Sequence, residues 1–364
     1  MLNIEILLSV FIIEIFLVAA LKEGAGKSKL CIWVFFIQFF IVFALRDYTV
    51  LCDTDAYYYH YNRIKSWEPF YRLSSKERFE TGYLLLERFT HNVLEFNFLG
   101  FQIITTLIIL GVTMWYIYRN SSCTWFAIFI FVVTRGLFSE MIAVRQGLAI
   151  AIGLLVFGLL KKDKYIWAAC MVLVASVFHT SALFLLILIP IYMKGISIRH
   201  KEIFLVGSTI IAFTMYGFFA NDLSPEVAYS AYAKTRVAQK GLNLVGLFHT
   251  LNAVVIFMYA NFLKSNLKRE KLQIYSRKPD HLVLWLYVGT AVVSIRLFVI
   301  GRLLLYFLPV ISVYISNLYA DRRKTKYVQL ASFMFCCIMI CSFLFVMEVR
   351  PEWTRILPYK FYNF

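Results

Sequence analysis

The chain has 364 residues, 61% hydrophobic, 18% aromatic and 16% charged, with a net charge of +16 and a mean hydropathy of +0.71. A soluble domain is about half apolar, so the composition excludes an ordinary soluble enzyme and defines a polytopic helical membrane protein. The basic residues fall in short patches between apolar runs, which argues against a nucleic-acid surface and fits topology signals and lipid headgroup contacts.

Runs long enough to cross a hydrocarbon core recur along the whole chain. They predict twelve spans, at 3–21, 29–46, 98–118, 122–138, 140–160, 165–179, 181–193, 203–220, 243–263, 282–299, 301–319 and 328–347. The first reads as a span and not a cleaved signal. It lacks a basic start, and Lys22-Glu23-Gly24-Ala25-Gly26-Lys27 resembles a loop. The sixth and seventh are short, and Pro190 interrupts the seventh, so 165–193 reads as two spans or a re-entrant pair. Fusing them would move the basic cluster at 264–278 to the opposite face.

With twelve spans, alternate loops hold 20 of the 37 Lys and Arg against six acids. The positive-inside rule places those loops in the cytoplasm and both termini outside. The expected fold is all-α: about twelve transmembrane helices in a single integral domain, 1–364. Its external loop 47–97 carries short interfacial helices, and a second external loop covers 221–242. Of seven cysteines, only Cys52 falls in a polar loop, and none has metal-ligand spacing. Neither a zinc site nor a disulfide framework is expected.

Mixed carboxylates, His and Arg gather at the outer ends of the spans. Arg46 and Asp47 end the second span. Asp53, Asp55 and Glu80 lie in the long loop, Glu140 and Arg145 open the fifth span, His179 ends the sixth, and Arg296 and Arg302 flank the turn between the tenth and eleventh. Charges near membrane depth are costly and tend to mark function; ion pairs tying helix ends together are the structural alternative. Arg145-Gln146 sits in the first turn of an apolar helix, where free N–H groups, the helix dipole and a guanidinium suit a phosphate. His179 stands where a helix breaks, either as a catalytic or ligand group or as a satisfied structural one. In Cys52-Asp53-Thr54-Asp55, the D-x-D spacing is shared with metal-dependent sugar-nucleotide enzymes, although helix capping explains it equally. If the stretch is helical, Asp53, Tyr57 and Tyr61 share a face, and an interfacial aromatic belt accounts for several of the tyrosines.

Arg46-Asp47, Asp55 with Tyr57, Glu80-Thr81-Gly82-Tyr83, Ala143-Val144-Arg145-Gln146-Gly147-Leu148-Ala149, Phe178-His179-Thr180-Ser181-Ala182 and Leu357-Pro358-Tyr359 together resemble the EpsG family of bacterial exopolysaccharide, capsule and O-antigen clusters, similar to Wzy-type polymerases. The resemblance covers nearly the whole chain. It implies a GT-C-like, all-helical glycosyltransferase in the bacterial cytoplasmic membrane. There a growing glycan on undecaprenyl pyrophosphate is transferred onto a lipid-linked repeat unit at the outer face, and a chain-length regulator protein is an implied partner.

A pyrophosphate leaving group needs positive charge more than acid catalysis, and one base for the acceptor hydroxyl. This assigns Arg145, Arg296 and Arg302 to the pyrophosphate, with Gln146, Arg46 and Glu140 beside them. Asp55, Asp53 or His179 is the base, Glu80 and Tyr83 orient the acceptor, and Tyr57 offers a stacking face. No cofactor is expected; Asp53 and Asp55 have the chemistry to bind Mg²⁺ or Mn²⁺, without further support. A single-sugar transferase using a lipid-linked sugar would look nearly identical. A flippase of lipid-linked sugars would need polar groups along the spans, where Glu14 is the clearest, and an O-acyltransferase would need an acyl route to His179.

Overall fold

The computed structural model describes residues 4–21, 24–65, 79–194, 196–222, 244–277, 279–323, 325–351, 355–356 and 358–362. Much of the second external loop and part of the first, 66–78, lie outside them, as does Leu357 of the terminal motif. Among the described residues the chain is helical, and its one β-type pairing is an isolated bridge between Arg46 and Phe361. Four helices are long and apolar enough to cross a membrane, or up to six if each of two bent pairs is one span. Shorter apolar helices supply further segments at the expected places, including Val144–Leu160, Tyr165–Phe178 and Asp280–Ser294.

The chain forms two compact units, 1–186 with 340–364, and 187–339. The first contains α1 (Ile4–Ala20), α2 (Ala25–Ala44), α3 (Thr54–Tyr61), α4 (Thr81–Asn92), α5 (Phe98–Asn120), α6 (Thr124–Val133), α7 (Gly136–Ile142), α8 (Val144–Leu160) and α9 (Tyr165–Phe178). Helix α2 packs on α5 and α6, α5 on α8, and α8 on α9. Aromatic rings stack down the α2 seam, Phe35, Phe39 and Phe43 at successive i, i+4 positions, and Phe43 meets Phe138 edge-on at 5.5 Å.

Two ends of this unit explain its closure. At one, buried Lys27 donates to the carbonyls of Ala19 and Leu21, each at 3.1 Å, and covers the end of α1. Its ammonium lies 5.7 Å from the centroid of the Trp125 ring at the start of α6. At the other, the C-terminal segment runs back along the exit of α2. Asp47 N–H donates to Lys360, Tyr362 N–H to Leu45, and Leu51 N–H to Arg355. The Tyr359 hydroxyl donates to the Val42 carbonyl at 2.5 Å. Gln102 of α5 caps the carbonyls of Ala44 and Arg46, both at 2.9 Å.

The segment expected as one span at 122–138 is bent by 58° between α6 and α7. Neither proline nor glycine makes the bend: Arg135 adopts a left-handed conformation, φ 63°, with Gly136 behind it packed against Phe131. Glu140 therefore ends up in α7, and Arg145 alone of the two opens α8. Helix α9 stops at Phe178, His179 is extended, and a 3₁₀ helix follows at Thr180–Ile187.

The second unit takes up α10 (Leu188–Tyr192), α11 (Ile198–Asp222), α12 (Leu244–Ser265), α13 (Arg269–Arg277), α14 (Asp280–Ser294), a 3₁₀ helix at Phe298–Tyr306, α15 (Leu308–Ala320) and most of α16 (Lys326–Val349). Helices α12 and α14 approach so closely at Gly246 that a Cβ there would lie 2.2 Å from the Ser294 carbonyl oxygen. The Thr250 hydroxyl joins the same pair by donating to Gly246 and Ala291, both at 2.8 Å. Serine and threonine hydroxyls at 290, 312 and 332 return to carbonyls four residues back, which satisfies them inside an apolar medium.

Candidate functional site

The stretch Asp53-Thr54-Asp55-Ala56-Tyr57-Tyr58-Tyr59-His60-Tyr61 becomes α3, led by Asp53 at its N-cap position. Thr54, Tyr57 and Tyr61 are its buried residues, spaced three and four apart as one helical face requires. Tyr61 donates to the Phe96 carbonyl at 2.8 Å and its ring lies 5.1 Å from Phe101. On the outer face Tyr58 stacks on Tyr48 at 4.1 Å. Tyrosines thus do two jobs here: two anchor α3 to α4 and α5, and others make an aromatic surface.

Glu80 is the N-cap residue of α4, but its carboxylate makes no capping bond. Instead it bridges two distant parts of the chain. One oxygen pairs with Arg145 in the first turn of α8, and the other accepts from His179 Nδ1 at 2.6 Å. Gly82 makes this possible. Helix α4 meets α9 so closely there that a Cβ would lie 2.9 Å from the Val177 carbonyl oxygen. Burial works against the Glu80 carboxylate, but the His179 hydrogen bond and the Arg145 charge outweigh it, so its pKa falls to about 2. All three side chains remain 15–23% exposed, so the cluster is open at the protein surface.

An aromatic wall surrounds the cluster. The Arg145 guanidinium lies 4.6 Å from the Phe79 ring centroid and bonds the Tyr57 hydroxyl. Phe79, Tyr57 and Tyr83 are mutually 5.4–5.7 Å apart. Burial, chiefly, raises the Tyr57 pKa, with Asp53 adding to it and Arg145 opposing, so its hydroxyl stays protonated beside the guanidinium. Behind Phe79 is a second carboxylate–histidine pair. His60 Nδ1 meets Glu87 at 2.8 Å, Glu87 is fully buried, and its other oxygen accepts from Tyr83 at 3.3 Å. The His60 ring lies 4.7 Å from Phe79.

The remaining expected site residues are placed as follows. Asp53 lies near enough to act on Tyr57, while Asp55 accepts from the Ala56 N–H at 2.8 Å. Tyr83 is fully buried and serves the wall from behind. Arg46 is turned inward, donating to the carbonyls of Phe43 and Met141, where it braces α2 on α7. Glu140 is buried and accepts from Thr113 at 3.2 Å, while Gln146 is buried in α8. Arg296 and Arg302 belong to the second unit, both exposed; the Arg296 guanidinium lies 5.1 Å from the Phe213 ring centroid. Among the described residues no group of three or more His, Cys, Asp or Glu is arranged to hold a metal ion. His60, Glu87 and Phe79 went unselected by sequence. The i, i+3 spacing of Tyr57 with His60 and of Glu80 with Tyr83, and the i, i+4 spacing of Tyr83 with Glu87, carried the signal.

The described helices of this membrane protein thus join a carboxylate, an arginine and a histidine beside an aromatic wall. The sequence model of the EpsG family matches residues 29–361, and the chain belongs to that family, whose members are Wzy-like polysaccharide polymerases. Among curated proteins and solved structures, none matches it.

Proposed function

We propose that the chain is a polymerase of the bacterial cytoplasmic membrane. It transfers a growing glycan from undecaprenyl pyrophosphate onto a lipid-linked oligosaccharide repeat at the outer face, for an O-antigen, capsule or exopolysaccharide. The observation that carries this reading is the Glu80 carboxylate bound at once to Arg145 and His179. On this reading twelve apolar segments cross the bilayer in a GT-C-like arrangement, both termini are external, and no cofactor is required.

The chemistry follows from the three groups. Arg145, partly exposed and stacked on Phe79, exchanges part of its Glu80 pairing for the donor phosphates. A guanidinium binds such oxygens two at a time. His179, held through Nδ1 by Glu80, presents its other nitrogen as base, in the manner of any carboxylate-oriented imidazole. The acceptor hydroxyl oxygen forms a bond to the anomeric carbon, and its proton passes to His179. The bond from that carbon to the pyrophosphate oxygen breaks, and the lipid pyrophosphate leaves with the electron pair. Tyr57 and Phe79 give a face for a sugar ring.

Glycan analysis of a deletion strain tests the proposal, with wild type, Arg145→Ala or His179→Ala restored at equal protein level. Single repeat units in the deletion and both variants, with a ladder restored by wild type, are expected. Full-length polymer lacking one branch sugar would replace the polymerase by a single-sugar transferase. Normal polymer with either variant would overturn the roles assigned.

A further inference from the structure

The first unit contains an apolar groove that the Glu80 cluster does not use. It lies between α2 and α5, holds about 690 Å³, and is lined by Ile32, Trp33, Phe36, Leu107, Met114 and Trp115, with Lys29 and Tyr118 at one end. Gly111 forms its floor, with nothing within 4 Å of where a Cβ would stand. Trp33 and Trp115 are more than half exposed. In a membrane protein this exposure faces lipid.

Length and charge specify the occupant. From Leu107 to Tyr118 helix α5 rises about 16 Å, half of the roughly 30 Å hydrocarbon core. The groove therefore accommodates an acyl chain of one leaflet. Lys29 lines its charged end, one turn before Trp33 on α2, and Arg119, next in sequence to the lining residue Tyr118, follows Trp115 by one turn on α5. Each cation thus stands i, i+4 from a tryptophan on its helix face. Among the described residues neither has a hydrogen bond or ion pair, and no acid lines the groove. Tryptophan and tyrosine are the side chains that settle at headgroup depth.

We propose that this groove is a binding site for one anionic diacyl phospholipid, its chain along Gly111 and its phosphate between Lys29 and Arg119. The lipid comes from the leaflet on the face where α1 ends and α2 and α6 begin, remote in sequence from Glu80, Arg145 and His179.

The test uses the purified full-length protein in detergent. It is titrated with palmitoyl-oleoyl phosphatidylglycerol or the phosphatidylcholine of the same chains, and retained lipids are counted by native mass spectrometry. Wild type is expected to retain one phosphatidylglycerol with a preference of about twenty-fivefold, since two cations each contribute about fivefold toward an anionic lipid. Lys29→Glu with Arg119→Glu abolishes the preference and keeps the weaker phosphatidylcholine binding. Gly111→Trp fills the floor and lowers both. Lys29→Gln, a milder change, reduces the preference about fivefold and serves if Gly111→Trp does not fold. An unchanged preference in the charge variants overturns the headgroup assignment. Unchanged retention in a folded Gly111→Trp overturns the chain assignment. A dimer that Gly111→Trp splits, or a copurifying polyprenyl-linked glycan that it releases, also overturns the proposal, by naming a second copy or the transferase substrate as occupant.

Discussion

Replacing Glu80 by Gln keeps the shape of the side chain and removes its charge. The carboxylate holds Arg145 and His179 together, and its pKa lies at about 2 in place of the ordinary 4.5. That depression corresponds to about 3 kcal/mol between the charged and neutral carboxyl, and solvent screening of a partly exposed group brings it to about 2 kcal/mol. Glu80→Gln should therefore lower the melting temperature in detergent by several degrees. The pH dependence supplies the sharper test. A carboxyl with a depressed pKa stabilises fully above its unfolded value, and the contribution is lost as pH falls toward its folded value. The gap between wild type and Glu80→Gln should thus be constant at neutral pH, shrink below about 4.5 and close near about 2. Melting curves at pH 7, 5, 4 and 3 read this directly. A gap that stays the same from pH 7 to pH 3 would refute the reasoning, because the charge would then not be what joins the three residues.

Further expectations concern the same mouth. Arg145→Lys keeps the charge but gives up two-pronged contact with phosphate, and polymer yield at equal protein level should fall about 10- to 100-fold, the worth of one charge-assisted hydrogen bond. Gly82→Val places atoms against the Val177 carbonyl and should destabilise by about 1–3 kcal/mol, seen as lower melting together with weaker restoration of polymer. Glu87→Leu leaves the buried Tyr83 hydroxyl and His60 without their acceptor, a cost of about 1–3 kcal/mol. His60→Gln, at the more exposed partner, should cost less, and melting curves of the two variants check the order.

Much of the helix content is legible in the sequence, because apolar length and charge alternation act locally. Arg145, Gln146 and His179 stand at recognisable helix ends, and Tyr57 and Tyr61 show their shared face by spacing alone. Side-chain direction is less legible. Arg46 and Glu140 occupy outer helix ends by position, yet packing turns the first onto backbone carbonyls and the second toward Thr113. Glu80 joins partners 65 and 99 residues away, and no local pattern encodes such separations. The bend between α6 and α7 rests on a left-handed Arg135, a conformation that a short polar residue or glycine would have advertised better.

The C-terminal segment that lies along the exit of α2 has a bearing on biogenesis. Arg355, Lys360 and Tyr362 are made hundreds of residues after the stretch they clasp, so Leu45, Asp47 and Leu51 receive their partners only once this late segment has been synthesised. A chain stalled during synthesis after α9 already holds Glu80, Arg145 and His179 in sequence, but the ground beside them is unfinished. Assembly of the exit of α2 is thereby tied to synthesis of this late segment, and a bulky fusion placed just after it meets the protein beside that exit.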